Sequence, residues 1–228
     1  MSARAGSIRK ATPFKIKDCA LVAMATGRRA RLMPEFRREI ATVPVQSIYH
    51  HFWGGLLQPR FEEREYNNDF AAWMRHSMHD AVLAERLAAL DPTSCPELEA
   101  LRREMLELID NRLDEVEYLS WARASIQFEF LSSQIVIFDT GRTVSHPAEL
   151  AENIGHLSTS SIFYHFIDAR RRVPEGNNDF TLWMQSFGRD FEPLCASLTG
   201  VDPYFGSITE LRQKLATIFH ACVREHRS

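Results

Sequence analysis

The feature that most constrains this chain is an internal repeat that covers most of its length. When the 228-residue sequence is shifted by 114 positions, residues 14–52 align with residues 128–166 without a gap. Within this alignment the tripeptide Thr-Gly-Arg at 26–28 coincides with the same tripeptide at 140–142. Self-similarity at a fixed offset is the sequence signature of a repeated structural unit.

The repeat continues toward the C-terminus at a slightly different offset. After a loop that is four residues shorter in the second half, the offset becomes 110, and NNDF at 67–70 aligns with NNDF at 177–180. The apolar positions of 98–113 also align with those of 208–223. Because motifs and apolar positions recur together, the sequence predicts a tandem duplication.

Hydrophobic periodicity predicts that each repeat is mainly helical. Residues 98–113 carry a continuous apolar stripe opposite charged residues, which is the pattern of an amphipathic helix. Asp69 is placed to cap a helix over residues 70–90. Shorter helices are predicted over residues 34–43, where proline opens the first turn, and over residues 47–52.

The segment before Gly27 has two interpretations. Leu21–Ala25 suits a helix that ends at Gly27, because glycine is common at helix C-termini. Its counterpart in the second half, Ile-Val-Ile-Phe at 135–138, is typical of a strand. Both interpretations remain open at this point.

These patterns predict a mainly α fold. We expect a tandem duplication of a four-to-five-helix unit in a pseudo-twofold arrangement, with room for a small two-stranded β element. The predicted division is a basic N-terminal extension (1–13), a first repeat (14–113), a helical connector (114–127) and a second repeat (128–228). The two repeats are expected to pack as one domain.

Composition excludes several classes of protein. With 45% apolar and 25% charged residues the chain is globular, and its net charge of −3 does not favour nucleic acid or an anionic membrane. No segment approaches the roughly 20 apolar residues of a membrane span, and the N-terminus lacks a signal-peptide pattern. The four cysteines are isolated, so no zinc cluster is expected. We therefore expect a cytoplasmic protein without membrane or nucleic-acid partners, for which a homo-oligomer is compatible with the sequence.

The candidate binding residues are polar or aromatic residues that recur in both halves. They are His51, Asn67, Asn68, Asp69 and Trp73, and then His165, Asn177, Asn178, Asp179 and Trp183. In a structural interpretation, each His donates to a carboxylate or carbonyl, accepts from an amide, and fixes its helix to the Asn-Asn-Asp segment under the Trp. In a binding interpretation, they line two equivalent pockets for a small polar ligand beside an indole face, as in sugar sites. Retention in both halves favours the structural interpretation.

An alternative hypothesis is a metal-dependent hydrolase of the HD-type phosphohydrolase class. Its metal ligands would be His51, His79 and Asp80, with Asp110 or Asp114 as a further carboxylate. Imidazoles and carboxylates can hold a divalent ion that lowers the pKa of bound water. The second half has Arg189 in place of His79, and the chain has no phosphate-binding loop, GxSxG or HExxH motif.

Two charged loops occupy equivalent places in the repeats. The glutamates at 62, 63 and 65 lie among Arg60 and Arg64 and indicate a charged surface rather than a glycosidase pair. The basic run Arg170-Arg171-Arg172 is expected to be a solvated loop, with contact to an acidic partner as the alternative.

The Thr-Gly-Arg tripeptides, the SI(Y/F)xHF and NNDFxxWM segments and the duplication together resemble an uncharacterised prokaryotic family, domain of unknown function 5752. The resemblance covers residues 14 to about 223 and brings no catalytic residues with it. It implies an association with carbohydrate-active enzymes such as glycosyltransferases. We therefore expect a non-catalytic binding, regulatory or accessory protein, without metal or other cofactor, that acts through a partner protein or a small polar ligand.

Overall fold

The structure, a computed structural model, combines helices with two long strands. It describes residues 12–58, 65–95, 97–173, 176–204 and 206–225. Of the predicted N-terminal extension (1–13), only residues 12 and 13 lie within these ranges. Most of the charged loop of the first half also lies outside them.

The strands form one long two-stranded antiparallel sheet. β1 (Phe14–Leu32) has 19 residues and β2 (Arg123–Val144) has 22. The predicted fold class, a mainly α tandem duplication in a pseudo-twofold arrangement with a small β element, is therefore wrong, because the sheet is a major element and such a duplication is not established. Buried Phe14 and Ile16 flank exposed Lys15, which is the period of two expected of a strand.

The Thr-Gly-Arg tripeptides lie inside the strands rather than at helix ends. Gly27 and Gly141 have φ angles of +73° and +69°, which glycine adopts without steric cost. The hydroxyl of the threonine before each glycine accepts from the amide of the arginine after it, at 3.2 Å, and donates to a carbonyl of the other strand. Glycine in this conformation is typical of a β-bulge. Of the two interpretations of residues 21–25, the strand is correct.

The part of the chain that connects β1 to β2 forms short helices and one long helix. They are α1 (Met33–Thr42), α2 (Val45–Tyr49), a π-helical segment (His50–Gly54), α3 (Asp69–His76), α4 (Ala81–Ala88), α5 (Leu98–Glu115) and a 3₁₀ helix (Glu117–Ser120). The helix α5 confirms the prediction over residues 98–113. Of the predicted helical connector, the residues from 123 onward belong to β2.

The part of the chain after β2 has a similar order of elements. They are α6 (Pro147–Ile154), α7 (Thr159–Ile162), a π-helical segment (Phe163–Asp168), α8 (Ala169–Arg172), α9 (Asp179–Gln185), a 3₁₀ helix (Arg189–Phe191), α10 (Glu192–Thr199) and α11 (Ile208–Glu225). No helix in the described ranges is long and apolar enough to cross a membrane.

The helix predicted over residues 70–90 is broken in two. Between α3 and α4, His79 has a φ of +59°, which residues other than glycine rarely adopt. Asp80 then caps α4, because its carboxylate accepts from the Leu83 amide at 3.0 Å. The prediction that this segment is helical is therefore confirmed, but the cap at Asp80 divides it into two helices.

The chain forms two compact units, each with its own core. The first unit is Ala20–Val136, and the second unit combines the chain up to Cys19 with the chain from Ile137 onward. Fully buried side chains of the first unit include Phe36, Ile40, Phe52, Phe70 and Phe130, and those of the second include Ile16, Ile154, Phe163, Phe166, Phe180 and Phe219. Burial of each such side chain contributes about 1.5–3 kcal/mol.

Candidate functional site

In the first unit, buried His51 joins a helix, a carboxylate and a strand. Its Nδ1 lies 3.0 Å from Oδ2 of Asp69, and its Nε2 lies 3.1 Å from the backbone nitrogen of Leu131. Because a backbone amide can only donate, Nε2 must be the unprotonated nitrogen, and Nδ1 carries the proton that is donated to Asp69. We call these three residues the first clasp.

In the second unit, His165 makes the same set of hydrogen bonds. Its Nδ1 lies 2.7 Å from Oδ2 of Asp179, and its Nε2 accepts from the backbone amide of Lys17 at 2.9 Å. We call His165, Asp179 and Lys17 the second clasp. Both clasps contain the hydrogen bonds that the structural interpretation of these histidines predicted.

The clasp histidines accept hydrogen bonds from backbone amides that have no acceptor within the sheet. In a two-stranded sheet, alternate amides of each strand face away from the partner strand and lack an acceptor. The Lys17 and Leu131 amides bond to imidazole nitrogens instead. Ser161 adds a second contact, since its hydroxyl donates to the Lys17 carbonyl at 2.8 Å. Each histidine therefore fixes one strand to a π-helical segment.

The helix caps beside the clasps are asparagines rather than aspartates. Oδ1 of Asn68 accepts from the Ala71 amide at 2.8 Å, and Oδ1 of Asn178 accepts from the Thr181 amide at 2.9 Å. The prediction that Asp69 caps the helix is therefore wrong by one residue. As the first helical residue, an aspartate is favoured by the helix dipole and its carboxylate remains available to the histidine. Asn67 and Asn177 are half-buried immediately before the caps.

The two recurring tryptophans are buried and offer little surface to a ligand. Trp73 and Trp183 are 7% and 8% exposed. Their indole nitrogens donate to the carbonyls of Ile126, at 2.7 Å, and Thr12, at 2.8 Å. The Trp73 ring also stacks on Phe36 at 4.9 Å. Neither indole therefore presents the open face that a sugar platform requires.

An arginine distinguishes the second clasp. Arg172 contacts both carboxylate oxygens of Asp179, at 3.0 and 2.7 Å, and its guanidinium lies 4.0 Å above the Tyr164 ring. Burial opposes ionisation of Asp179, but hydrogen bonds from His165 and Arg172 more than offset this, so its pKa is lowered. Burial lowers the pKa of His165, which is therefore neutral at neutral pH. The prediction of a solvated loop is wrong here, because Arg171 and Arg172 pair with buried Asp168.

A pocket of about 430 Å³ opens beside the second clasp. β1 contributes Lys15 and Lys17, the π-helical segment contributes Tyr164, and Arg172 and Leu182 come from the helices that follow. His165, Asp179 and Trp183 also line it, whereas Asn177 and Asn178, which the binding interpretation included, are not among its lining residues. Sequence reasoning did not place Lys15, Lys17, Tyr164 or Arg172 in this pocket, and it assigned Arg172 to a solvated basic run. The signal for the lysines was their alternation with Phe14 and Ile16 in a strand.

The ligands of the hydrolase hypothesis have other roles. Asp80 caps α4 and pairs with Arg112 at 2.9 Å, and Asp110 forms two hydrogen bonds of 2.8 Å with Arg37. Within the described ranges, the group of histidines and carboxylates that could hold a metal is His50, His51 and Asp69, whose ligand atoms lie within 4.8 Å of one another. His79 and Asp80 do not belong to it.

His51 does not fit this group as a metal ligand. A ligating imidazole needs an unprotonated nitrogen that faces the ion. Nε2 of His51 is committed to the Leu131 amide, so Nδ1 keeps its proton. His50 is better suited, because burial lowers its pKa and its Nδ1 already bonds to the Ser133 hydroxyl at 2.6 Å. Of this group, the described residues then leave two ligands, His50 and Asp69, which is fewer than the three or four protein ligands of a zinc site.

Comparison with known proteins places the chain in a family. Among curated proteins no significant match was found. Among solved structures, OrfY from Thermoproteus tenax is similar, with a TM-score of 0.80 and 25% sequence identity, over 93% of this chain and 97% of that chain. The profile of a family of unknown function, DUF5752, matches residues 11–220. Since this match spans nearly the whole chain, the protein belongs to the DUF5752 family, as the resemblance of its motifs predicted.

Proposed function

We propose that this protein is a non-catalytic binding protein that holds a small polar ligand in the pocket of the second unit. The observation that carries the proposal is the pocket itself, which combines two lysines with an arginine fixed over an aromatic ring. Among the residues that the structure describes, Lys15 and Lys17 have no ion-pair partner. Their ammonium groups are therefore available to a ligand.

The bonding of the second clasp favours binding over catalysis. A general base needs an unprotonated nitrogen within hydrogen-bond reach of its substrate. Nε2 of His165 already accepts from the Lys17 amide, and its protonated Nδ1 is bonded to Asp179. Both carboxylate oxygens of Asp179 are also engaged by Arg172. These residues set the shape and charge of the pocket without a group that is free for proton transfer.

The proposal includes the accessory role expected from the family resemblance. A protein that binds a small ligand without transforming it suits a regulatory or accessory role beside a carbohydrate-active enzyme. Such a partner enzyme would then respond differently to the ligand-bound and the ligand-free forms of this protein.

The test is binding of small polar probes, measured by thermal stabilisation and isothermal titration calorimetry. The probes are glucose, glutamate, citrate, inorganic phosphate and glucose 6-phosphate. At roughly ten times its Kd, a bound probe stabilises the folded state by about 1.4 kcal/mol. We expect at least one probe to bind the parent protein.

A variant that fills the pocket locates the binding site. Leu182 lines the pocket and is exposed, so Leu182→Trp should block entry without disturbing the core. Val82→Trp is the matched control, since Val82 is an exposed residue of α4 in the first unit. Binding should be lost in Leu182→Trp and retained in Val82→Trp. If no probe binds the parent, or if Leu182→Trp binds as well as the parent, the proposal is wrong.

A further inference from the structure

We propose that the ligand of this pocket is a phosphate monoester, held by Lys15, Lys17 and one N–H group of Arg172. This inference rests on the proposed function and specifies the chemical class of its ligand. It is carried by three features of the pocket: the spacing of the lysines, the fixed orientation of the arginine, and the net charge of the lining.

The two lysines are placed to act on one anion. Residues two apart in a strand point to the same side of the sheet and are separated by about 6.6 Å along it. Phe14 and Ile16 are buried, whereas Lys15 and Lys17 line the pocket. Two flexible side chains at this spacing can close around a single phosphate group.

Arg172 is a donor that is already oriented. A guanidinium has five N–H donors in a rigid plane. In the described structure four of them are engaged, one with Asp168, one with the Tyr164 carbonyl and two with Asp179. One N–H on Nη1 remains for a ligand. Because three acceptors and the Tyr164 ring fix the group, little entropy is lost when this N–H binds an oxygen.

The charge of the lining matches a dianion. Lys15, Lys17 and Arg172 are positive and Asp179 is negative, which leaves two positive charges. His165 and Tyr164 are neutral at neutral pH, since burial lowers the pKa of the histidine and raises that of the tyrosine. A phosphate monoester carries a charge of about −1.5 to −2 at pH 7 and offers three strong acceptor oxygens. A monocarboxylate carries a charge of only about −1, and a neutral sugar has none.

The lysines are not needed by the clasp itself. In the alignment at offset 114, Lys15 and Lys17 correspond to Glu129 and Leu131. The first clasp makes the same hydrogen bonds with an acidic and an apolar residue at these positions. The basic character of the pocket is therefore a separate property of the second unit, which a phosphate ligand explains.

The experiment compares glucose 6-phosphate with glucose by isothermal titration calorimetry. The test variant combines Lys15→Glu with Lys17→Leu, which introduces the residues of the first unit. Lys214→Glu is the matched control, because Lys214 is exposed on α11 and outside the pocket. We expect glucose 6-phosphate to bind the parent and the control equally and the test variant at least a hundredfold more weakly, at about tenfold for each lost charged hydrogen bond. Glucose should show no binding at the same concentrations.

Several outcomes would overturn the inference. Equal binding of glucose 6-phosphate to the parent and the test variant would show that the lysines do not hold it. Binding of glucose, glutamate or citrate in the pocket, without binding of glucose 6-phosphate, would reject the phosphate ligand and leave the proposed function standing. Inorganic phosphate that binds more tightly than the monoester would reject the monoester. If the double variant unfolds, the single variant Lys15→Glu replaces it as the test, because Lys15 is exposed and its substitution does not disturb the core. Its affinity for glucose 6-phosphate should be about tenfold weaker than that of the parent.

Discussion

The first clasp and the second clasp make the same hydrogen bonds in different surroundings. Asp69 is 41% exposed, whereas Asp179 is 16% exposed and is paired with Arg172. His50 precedes the histidine of the first clasp, and Tyr164 precedes that of the second. The hydrogen bonds that both clasps share hold a strand to a π-helical segment, so they belong to the scaffold. The side chains around the clasps differ, and in the second unit they form the basic pocket.

The largest effect on stability is expected from removal of the histidines. His165→Ala creates a cavity and leaves the Lys17 amide and the Asp179 carboxylate without their shared partner, so we expect a loss of about 4 kcal/mol. His51→Ala should cost less, about 3 kcal/mol, because water can reach the more exposed Asp69. The free energy of unfolding in urea measures both. A larger loss of stability in His51→Ala than in His165→Ala would contradict the ranking by burial. Unchanged unfolding curves for both variants would show that the histidines do not stabilise the fold.

A smaller effect with the opposite order is expected at the caps. Asn68 is buried and, besides capping α3, donates to the Leu87 carbonyl at 3.1 Å. Asn178 caps α9. We expect Asn68→Ala to cost about 2 kcal/mol and Asn178→Ala about 1 kcal/mol, by the usual values for a cap and an added hydrogen bond. Thermal melts of the two variants test this order. A greater loss in Asn178→Ala would mean that the extra hydrogen bond of Asn68 adds nothing.

The smallest effect is expected from the titration of His165, because it changes the charge of a single side chain. Burial lowers the pKa of this histidine below its ordinary value of 6.5, and its bond to Asp179 opposes the shift without reversing it. Between the two pKa values the unfolded chain binds more protons than the folded protein, so stability rises with pH in that interval. The contribution of His165 is complete above about pH 6.5 and is lost as the pH falls below it.

Unfolding at pH 7.5 and pH 5.5 measures this effect. Glutamine keeps an acceptor for the Lys17 amide but does not titrate, so His165→Gln should lose less stability between the two pH values than the parent. His220→Gln, at an exposed position of α11, is the control and should behave as the parent does. If His165→Gln and the parent show the same difference, the histidine makes no pH-dependent contribution.

The sequence predicted the local contacts of the clasps better than the fold around them. Recurrence of the histidines and the Asn-Asn-Asp segments identified residues that do contact one another, and α5 followed from its apolar stripe. The long strands were missed because exposed apolar residues, such as Val22 and Met24, obscure the alternation in the middle of β1. The sequence alone could not assign Lys15 and Lys17 to a pocket, since only tertiary structure brings them to Tyr164 and Arg172.

The imidazoles that cap the strand edges also affect how copies of this protein meet one another. An open strand edge with unpaired amides can pair with the edge of another chain and start aggregation. The amides of Lys17 and Leu131 are closed to such pairing because a histidine nitrogen already accepts from each of them. An imidazolium has no acceptor nitrogen, so protonation of His165 frees the Lys17 amide at the same time as it adds charge to the protein. Storage and purification above about pH 6.5, where His165 is neutral, therefore keep the Lys17 amide closed to neighbouring molecules.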